Sequence, residues 1–352
     1  MIQRRQFLRW GLGCSAWAMS AQLMAKSIDT NLLASPEKLI WRERVMDGFG
    51  TTLWLKAAHE NADQLEAALT AAVQAIRSVE RQMSLFDPDS ALSRLNARGY
   101  LQKPDAALLS VLKLSQHVSH KSGGAFDISM QPLWQVWSES AAEGRLPLRR
   151  DVQRAQQLVN WQAMEVTASS VRLNQSGMRL SLNGIAQGYA SDLARAALQA
   201  HGVRHALIDA GETTLLGHAA NDKQWAFEIE NAAGDQSGKA KSDKAQAKLP
   251  VLICDGRAVA TSSDAHTVFS ADHKYHHILN PHTGYSPVHW SSVTVIAPSC
   301  VMADALTKVF FMLPPSQVLP AARIWNVDVV LQDKAGQWIA SEGAGVNFQN
   351  NT

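Results

Sequence analysis

Residues 181–211 read SLNGIAQGYASDLARAALQAHGVRHALIDAG, and this stretch decides how the chain is read. Its first four residues break an apolar run with a polar, Gly-containing turn. Residues 185–200 then carry a helix pattern that Gly202 stops. Residues 206–211, ALIDAG, come next as a buried strand closed by a Gly turn. A strand that feeds a helix N-terminus aims backbone N–H groups and the positive end of the helix dipole at whatever sits there, a phosphate among the candidates. The spacing is neither a Walker loop nor a dinucleotide fingerprint, so ordinary packing stays open beside anion binding.

Outward from this unit, strands come in clusters with helices between them. Leu53 and Leu55 lie in phase in a strand over 51–57. Leu65, Leu69, Val73, Ile76 and Met83 recur at helical spacing over about 62–83. Ser90 and Asp105 have the residue type and position of N-caps for two further helices. Strands are expected near 164–168, 171–173, 178–182, 225–230, 251–254, 258–261, 275–279 and 291–297. A helix over 301–312 and a strand pair within 327–340 complete the pattern. Such clustering predicts an α+β fold with mainly antiparallel sheet, not a doubly wound βαβ array. Residues 231–248 hold no large apolar side chain and read as a mobile surface loop. No Pro/Gly-rich linker divides the remainder, so residues 26–352 read as one domain.

Composition narrows the function classes. With 46% hydrophobic and 18% charged residues the chain is neither a disordered tail nor a fibre. Lys and Arg number 33 against 31 Asp and Glu, and three of the 33, Arg4, Arg5 and Arg9, are the only charges in the first 25 residues. The rest of the chain has no general field for polyanions, which argues against nucleic acid as a partner. The Arg pair, with Gln6, Phe7, Leu8 and a weakly apolar run to Ala25, reads as a twin-arginine export signal over 1–25 and predicts a periplasmic protein. Cys14 as a lipid anchor is disfavoured by Gly11, which stands where such signals carry a larger aliphatic residue. After Lys26 no apolar stretch reaches the roughly 20 residues that span a bilayer. Cys14, Cys254 and Cys300 lack the spacing of a metal site or a disulfide scaffold.

Four segments interrupt the apolar pattern beyond what packing needs. MSLFDPDSALSRLN (83–96) joins two helices through a turn at Asp87-Pro88. SGGAFDIS (122–129) pairs two Gly, which allow close backbone approach, with Asp127. LNGIAQGYASD (182–192) is the entry from strand to helix. YHHILNPHTGYSP (275–287) sets three of the 12 His beside a Pro/Gly turn, for which a metal site, a general base and solvated surface are all open readings. Beyond it, Asp304 and Thr307 share one helical face, as partners of the helix dipole or as holders of a hard cation.

In this order, and with AVATSSD (258–264) and SVTVIAPSCVMADAL (292–306), these segments resemble the ApbE family of FAD:protein FMN transferases from about 49 to 312. The resemblance implies a two-lobed α+β fold with flavin in the cleft, and an exported enzyme that uses FAD and Mg²⁺. Its implied reaction joins FMN through its phosphate to a Thr or Ser hydroxyl of a partner, an acceptor domain of a periplasmic or membrane-bound electron-transfer protein, and releases AMP. Carried over by position, Phe49, Phe86, Ala125, Phe126, Asp127, Asn183, Tyr189 and Ile278 are the implied FAD contacts. His277 is the implied acid/base. Ala186, through its carbonyl, and Asp304 are the implied Mg²⁺ ligands, with Thr307 beside them.

The chain also departs from the family pattern. Lys308 stands where a Thr is usual four residues after the metal Asp, Ser181 and Asn183 where Asp and Gly are usual, and Gln187 where Lys is usual. Asn280 replaces Asp, and Glu212-Thr213 replaces Gly-Asp. Two other functions therefore remain open at the level of sequence: a non-catalytic flavin carrier or maturation factor, and an FAD pyrophosphatase giving FMN and AMP.

Overall fold

A computed structural model of the chain describes residues 39–230, 232, 249–265, 267–270 and 272–348. The export signal expected at 1–25 lies outside the described residues, as does the loop expected at 231–248 apart from Ala232. Eight helices are described: α1 (Ala62–Met83), α2 (Ala91–Arg98), α3 (Ala106–Lys121), α4 (Gln131–Ala142), α5 (Arg149–Gln156), α6 (Ala186–Ala200), α7 (Cys300–Phe311) and α8 (Pro315–Trp325). Side-chain caps start three of them, two at the expected residues. Asn61 accepts from the N–H of Gln64 at 3.0 Å to open α1, Ser90 from Ser93 at 3.0 Å to open α2, and Asp105 from Ala107 at 2.8 Å to open α3.

The frame is one eight-stranded sheet. Its members are β1 (Ile40–Gly48), β2 (Thr51–His59), β6 (His205–Asp209), β7 (Thr213–Leu216), β10 (Ala258–Ser263), β11 (Trp290–Ala297), β12 (Asp328–Asp333) and β13 (Trp338–Ala340), in that spatial order. Every neighbouring pair is antiparallel, so the expected sheet type is observed. Two three-stranded sheets flank it, β3 (Tyr100–Gln102) with β5 (Ser170–Leu173) and β4 (Met164–Val166), and β8 (Ala226–Glu228) with β9 (Val251–Ile253) and β14 (Val346–Asn347).

Strand alternation divides the apolar side chains between two faces. Leu55, Ile208, Val293, Val295 and Leu331 point to the main core, where they meet Leu69 and Ile76 of α1, Ala194 of α6 and Leu306 and Phe310 of α7. Leu207, Leu215, Ile296 and Val330 point the other way, against Phe227 and Leu252 of the small β8–β9–β14 sheet. Covered on both faces, β11 is buried along its whole length.

Two expected strands are absent. Residues 178–182 and 275–279 make only isolated bridges, Met130 with Arg179 and Val268 with His276. In the first, the amide side chain of Asn96 grips the N–H and C=O of Leu180 at 2.7 and 2.8 Å, so side-chain bonds take the place of a ladder. In the second, the backbone N–H of Tyr275 goes to the Ser270 hydroxyl and that of His276 to the Ser286 hydroxyl. Cys254 and Cys300 are unpaired.

Candidate functional site

A cleft of about 760 Å³ opens where the β6–β7 turn, β10, the entry to α6 and the SGGAFDIS loop converge. That volume lies within the roughly 300–1,000 Å³ common for small-molecule sites. Of the residues singled out by sequence, Phe86, Ala125, Phe126, Asp127, Asn183, His277 and Ile278 line it. Segments far apart in the chain thus meet on one surface. Phe49, Tyr189, Ala186, Asp304 and Thr307 do not line it.

Each placement has a local cause. Phe49 and Gly50 form the two-residue β1–β2 turn with φ of 51° and 77°, the left-handed pair such a hairpin needs. Gly50 faces the cleft while the Phe49 ring packs on the core and its N–H donates to Glu80 at 2.9 Å. Tyr189 lies two residues beyond cleft-lining Gln187, about 200° around α6, and its hydroxyl pairs with Ser110 of α3. Asp127 is buried. Its carboxylate accepts from the N–H and hydroxyl of Ser129 at 2.8 and 2.6 Å and from the N–H of Trp161 at 3.1 Å, which ties the loop into shape. Burial raises its pKa against the pull of those bonds. Gly124, at φ 84°, brings the loop to within 3.2 Å of the His282 ring as measured from where a Cβ would stand.

The three histidines of the 275–287 segment separate by environment. His276 is wholly buried, and desolvation lowers its pKa to about 3, which makes it a neutral core residue. His282 packs at the SGGAFDIS loop. His277 alone of the three lines the cleft, with its N–H donating to the Thr267 carbonyl at 2.9 Å and Nδ1 at 3.3 Å from the same oxygen. A proton on Nδ1 satisfies that contact and makes Nε2 the basic nitrogen of the ring.

At the head of α6 lies a charged cluster. Gly188 permits the close crossing of α6 and α7, since a Cβ there would stand 2.7 Å from the carbonyl carbon of Cys300 and 2.8 Å from Asp304 Cβ. Asp192 of α6 accepts from the first N–H groups of α7, those of Cys300 and Val301, both at 2.9 Å. In return, Oδ2 of Asp304 on α7 accepts from the Gly188 N–H at 3.1 Å. Oδ1 of Asp304 holds the ammonium of Lys308 at 2.5 Å. Thr307 is buried, donates to the Asp304 carbonyl at 2.7 Å and shares a 2.8 Å bond with Ser262.

Sequence reading noted Glu212 only as a departure, yet it lines the cleft, is buried, and accepts from the Thr261 N–H at 3.0 Å. Burial, then the charge of Asp304, pushes its pKa well above the ordinary value. Asp209 at the same turn is also raised by burial, and its carboxylate accepts from the Gly211 N–H at 2.9 Å. The signal for Glu212 was its position in a Gly turn after a buried strand, though its approach to α7 depends on tertiary packing.

This donor set does not fit a resident Mg²⁺. The ion requires near-octahedral oxygen coordination at about 2.0–2.1 Å, drawn in part from one or two carboxylates. The Asp304 carboxylate expected to supply the charge holds a chain ammonium on one oxygen and a backbone N–H on the other. Among the described residues, no three His, Cys, Asp or Glu side chains converge to hold a metal.

The ApbE family model matches residues 49–331. FAD:protein FMN transferase of Treponema pallidum is 29% identical over 267 residues, which cover 72% of this chain and 73% of that one. A protein of the same name from Klebsiella pneumoniae is 28% identical over 291 residues, 80% of this chain and 87% of that one. Among solved structures, the ApbE protein of Thermotoga maritima superposes with a TM-score of 0.76 at 22% identity, over 86% of this chain and 97% of that one. Flavin transferase ApbE from Vibrio cholerae gives 0.72 at 21% identity, over 86% and 98%. With more than half of its residues inside the family model and the same fold in both structures, this chain belongs to the ApbE family.

Proposed function

We propose that the protein transfers FMN from FAD to a Thr or Ser hydroxyl of a partner protein and releases AMP. One observation carries the reading. Phe86, the Ala125–Asp127 loop, Asn183, His277 and Ile278 come from distant parts of the chain and line a single cleft, in a family whose similar members are named for this transfer.

In such a transfer the protein's work is positioning and charge stabilisation. Apolar Phe86, Trp134, Ile128 and Ile278 offer surface for a flat ring system, and the polar α6 entry offers donors to the pyrophosphate. The acceptor oxygen attacks the FMN phosphorus, the P–O bond to the AMP phosphate breaks, and AMP departs with that bridging oxygen. Nε2 of His277 takes the hydroxyl proton as general base. The Thr267 carbonyl, 3.3 Å from Nδ1, favours the tautomer with the proton on that nitrogen.

We place this activity in the periplasm, on the strength of the Arg4-Arg5 signal, with a domain of an electron-transfer protein as acceptor. Among the described residues no helix is long and apolar enough to cross a membrane. The test is incubation of the purified protein with FAD and a flavin-accepting domain, with and without Mg²⁺, and then measurement of AMP and of acceptor mass. Transfer gives both AMP and a heavier acceptor. AMP without a heavier acceptor makes the protein a pyrophosphatase, and bound, intact FAD makes it a carrier.

A further inference from the structure

A metal bound to Asp304 would need the carboxylate oxygen that the Lys308 ammonium now holds. Lys308 lies one helical turn beyond Asp304 on α7, and its Nζ is 2.5 Å from Asp304 Oδ1 and 3.3 Å from the Asp304 carbonyl. The stem is held in place, because it packs on Gly184 at the turn into α6, where a Cβ would stand 3.2 Å from Lys308 Cε. Glu212 is the second carboxylate facing the ammonium. Despite this packing the side chain remains 23% exposed and lines the cleft. Thr307, the neighbouring oxygen on the same helix, is buried with its hydroxyl shared between Ser262 and the Asp304 carbonyl.

We propose that Lys308 is a built-in cation for this cleft, which excludes a resident divalent metal from Asp304 and donates to the pyrophosphate of bound FAD in its stead. The inference rests on the reading of the cleft as an FAD site. A divalent ion on Asp304 would have to expel an ammonium from its ion pair and then sit beside it, against like-charge repulsion in a partly buried place. An ammonium carries three N–H donors, of which one serves Asp304 Oδ1 and a second, at 3.3 Å, the Asp304 carbonyl. The remaining one is directed by a stem pinned between α7 and Gly184, next to the N-terminal turn of α6. Phosphate binding by Lys is a point-charge interaction and imposes none of the octahedral demands of Mg²⁺. The chain therefore binds FAD equally well with and without divalent metal.

Two titrations test this, and the first needs no flavin. Mn²⁺ added to the flavin-free protein and monitored by electron paramagnetic resonance is expected to show no stoichiometric binding to the wild type and one bound ion in Lys308→Thr. Stoichiometric Mn²⁺ on the wild type, or none on Lys308→Thr, overturns the proposal. In the second, FAD affinity from flavin fluorescence is expected to be the same for the wild type in chelator and in Mg²⁺. It falls roughly tenfold or more in Lys308→Met under both conditions, the scale of a charge-assisted hydrogen bond. Lys308→Arg should stay near the wild type, and Lys308→Thr should recover affinity only with metal. Circular dichroism melts confirm that each variant is folded. If Lys308→Met fails to fold, the Arg and Thr variants decide the matter. An increase in wild-type affinity on adding Mg²⁺, or unchanged affinity in folded Lys308→Met, overturns the proposal. Absence of FAD binding in every condition would instead remove the transferase reading, and the Mn²⁺ titration would still decide whether Lys308 excludes metal.

Discussion

Asp192 and Asp304 face each other across the α6–α7 crossing and perform the same backbone task. Each carboxylate reaches from its own helix to an N–H in the first turn of the other. Asp192 uses both oxygens this way, on Cys300 and Val301. Asp304 uses only one, and the other holds Lys308 at the cleft. The difference separates a carboxylate that fixes the helix pair from one that also sets the charge of the site. Under the proposal above, it also explains how the chain can keep this Asp with an ammonium, not a divalent ion, as its partner. Once Asp304 has a structural bond to Gly188, the residue one turn later decides what cation it faces.

Three substitutions break or sharpen that contrast, in falling order of effect. Gly188→Ala pushes a methyl into the Cys300 backbone, which cannot yield as a flexible side chain could, and should cost about 3 kcal/mol of stability in urea unfolding. Asp192→Ala leaves two N–H groups of α7 without their acceptor and should cost about 2 kcal/mol, while FAD affinity stays unchanged. Asp304→Asn should cost less, about 1 kcal/mol, because Lys308 is 23% exposed and partly screened by solvent. Its effect on binding has the diagnostic sign: an ammonium freed from its carboxylate holds FAD more tightly in the presence of Mg²⁺, whereas loss of a metal ligand would weaken binding.

A fourth substitution tests the same cluster through pH. The folded-state pKa of Glu212 is raised, so its contribution to stability is fully present below its ordinary value of 4.5 and is lost as pH rises through the raised value. Glu212→Gln keeps an acceptor for the Thr261 N–H and removes the titration. Its unfolding free energy should match that of the wild type below pH 4.5, exceed it increasingly as pH rises above that, and level off once pH passes the raised value. Parallel curves would mean that Glu212 is solvated as an ordinary carboxylate.

The fold was legible wherever one face of an element is continuously buried. Leu65, Leu69, Ile76 and Met83 mark α1 to its ends, and the caps at Ser90 and Asp105 stand where side-chain chemistry alone would put them. Sequence reading missed β1, whose exposed Arg42, Glu43 and Val45 lie on an edge strand with one neighbour and weak patterning. The helix α8 was missed as well, since Pro320 inside it argues against a helix. At the site, the residues that meet in the cleft were found by motif. Helical phase explains why Tyr189 turns to α3, and a left-handed turn explains why Gly50 faces the cleft in place of Phe49. The roles of Lys308 and Glu212 were hidden for a different reason. The pairing of Lys308 is local, one turn along α7, but its meaning depends on Glu212 and Gly184, which only the packed β6–β7 turn and α6 bring beside it.

The most direct measurement is anomalous diffraction at the manganese edge from crystals of the wild-type protein grown with FAD and Mn²⁺. With Lys308 as the resident cation, the map shows FAD in the cleft, the Lys308 ammonium within hydrogen-bond distance of the pyrophosphate and of Asp304, and no anomalous peak at Asp304. A manganese peak coordinated by Asp304, with Lys308 swung away from it, would contradict this and restore the divalent metal to the site.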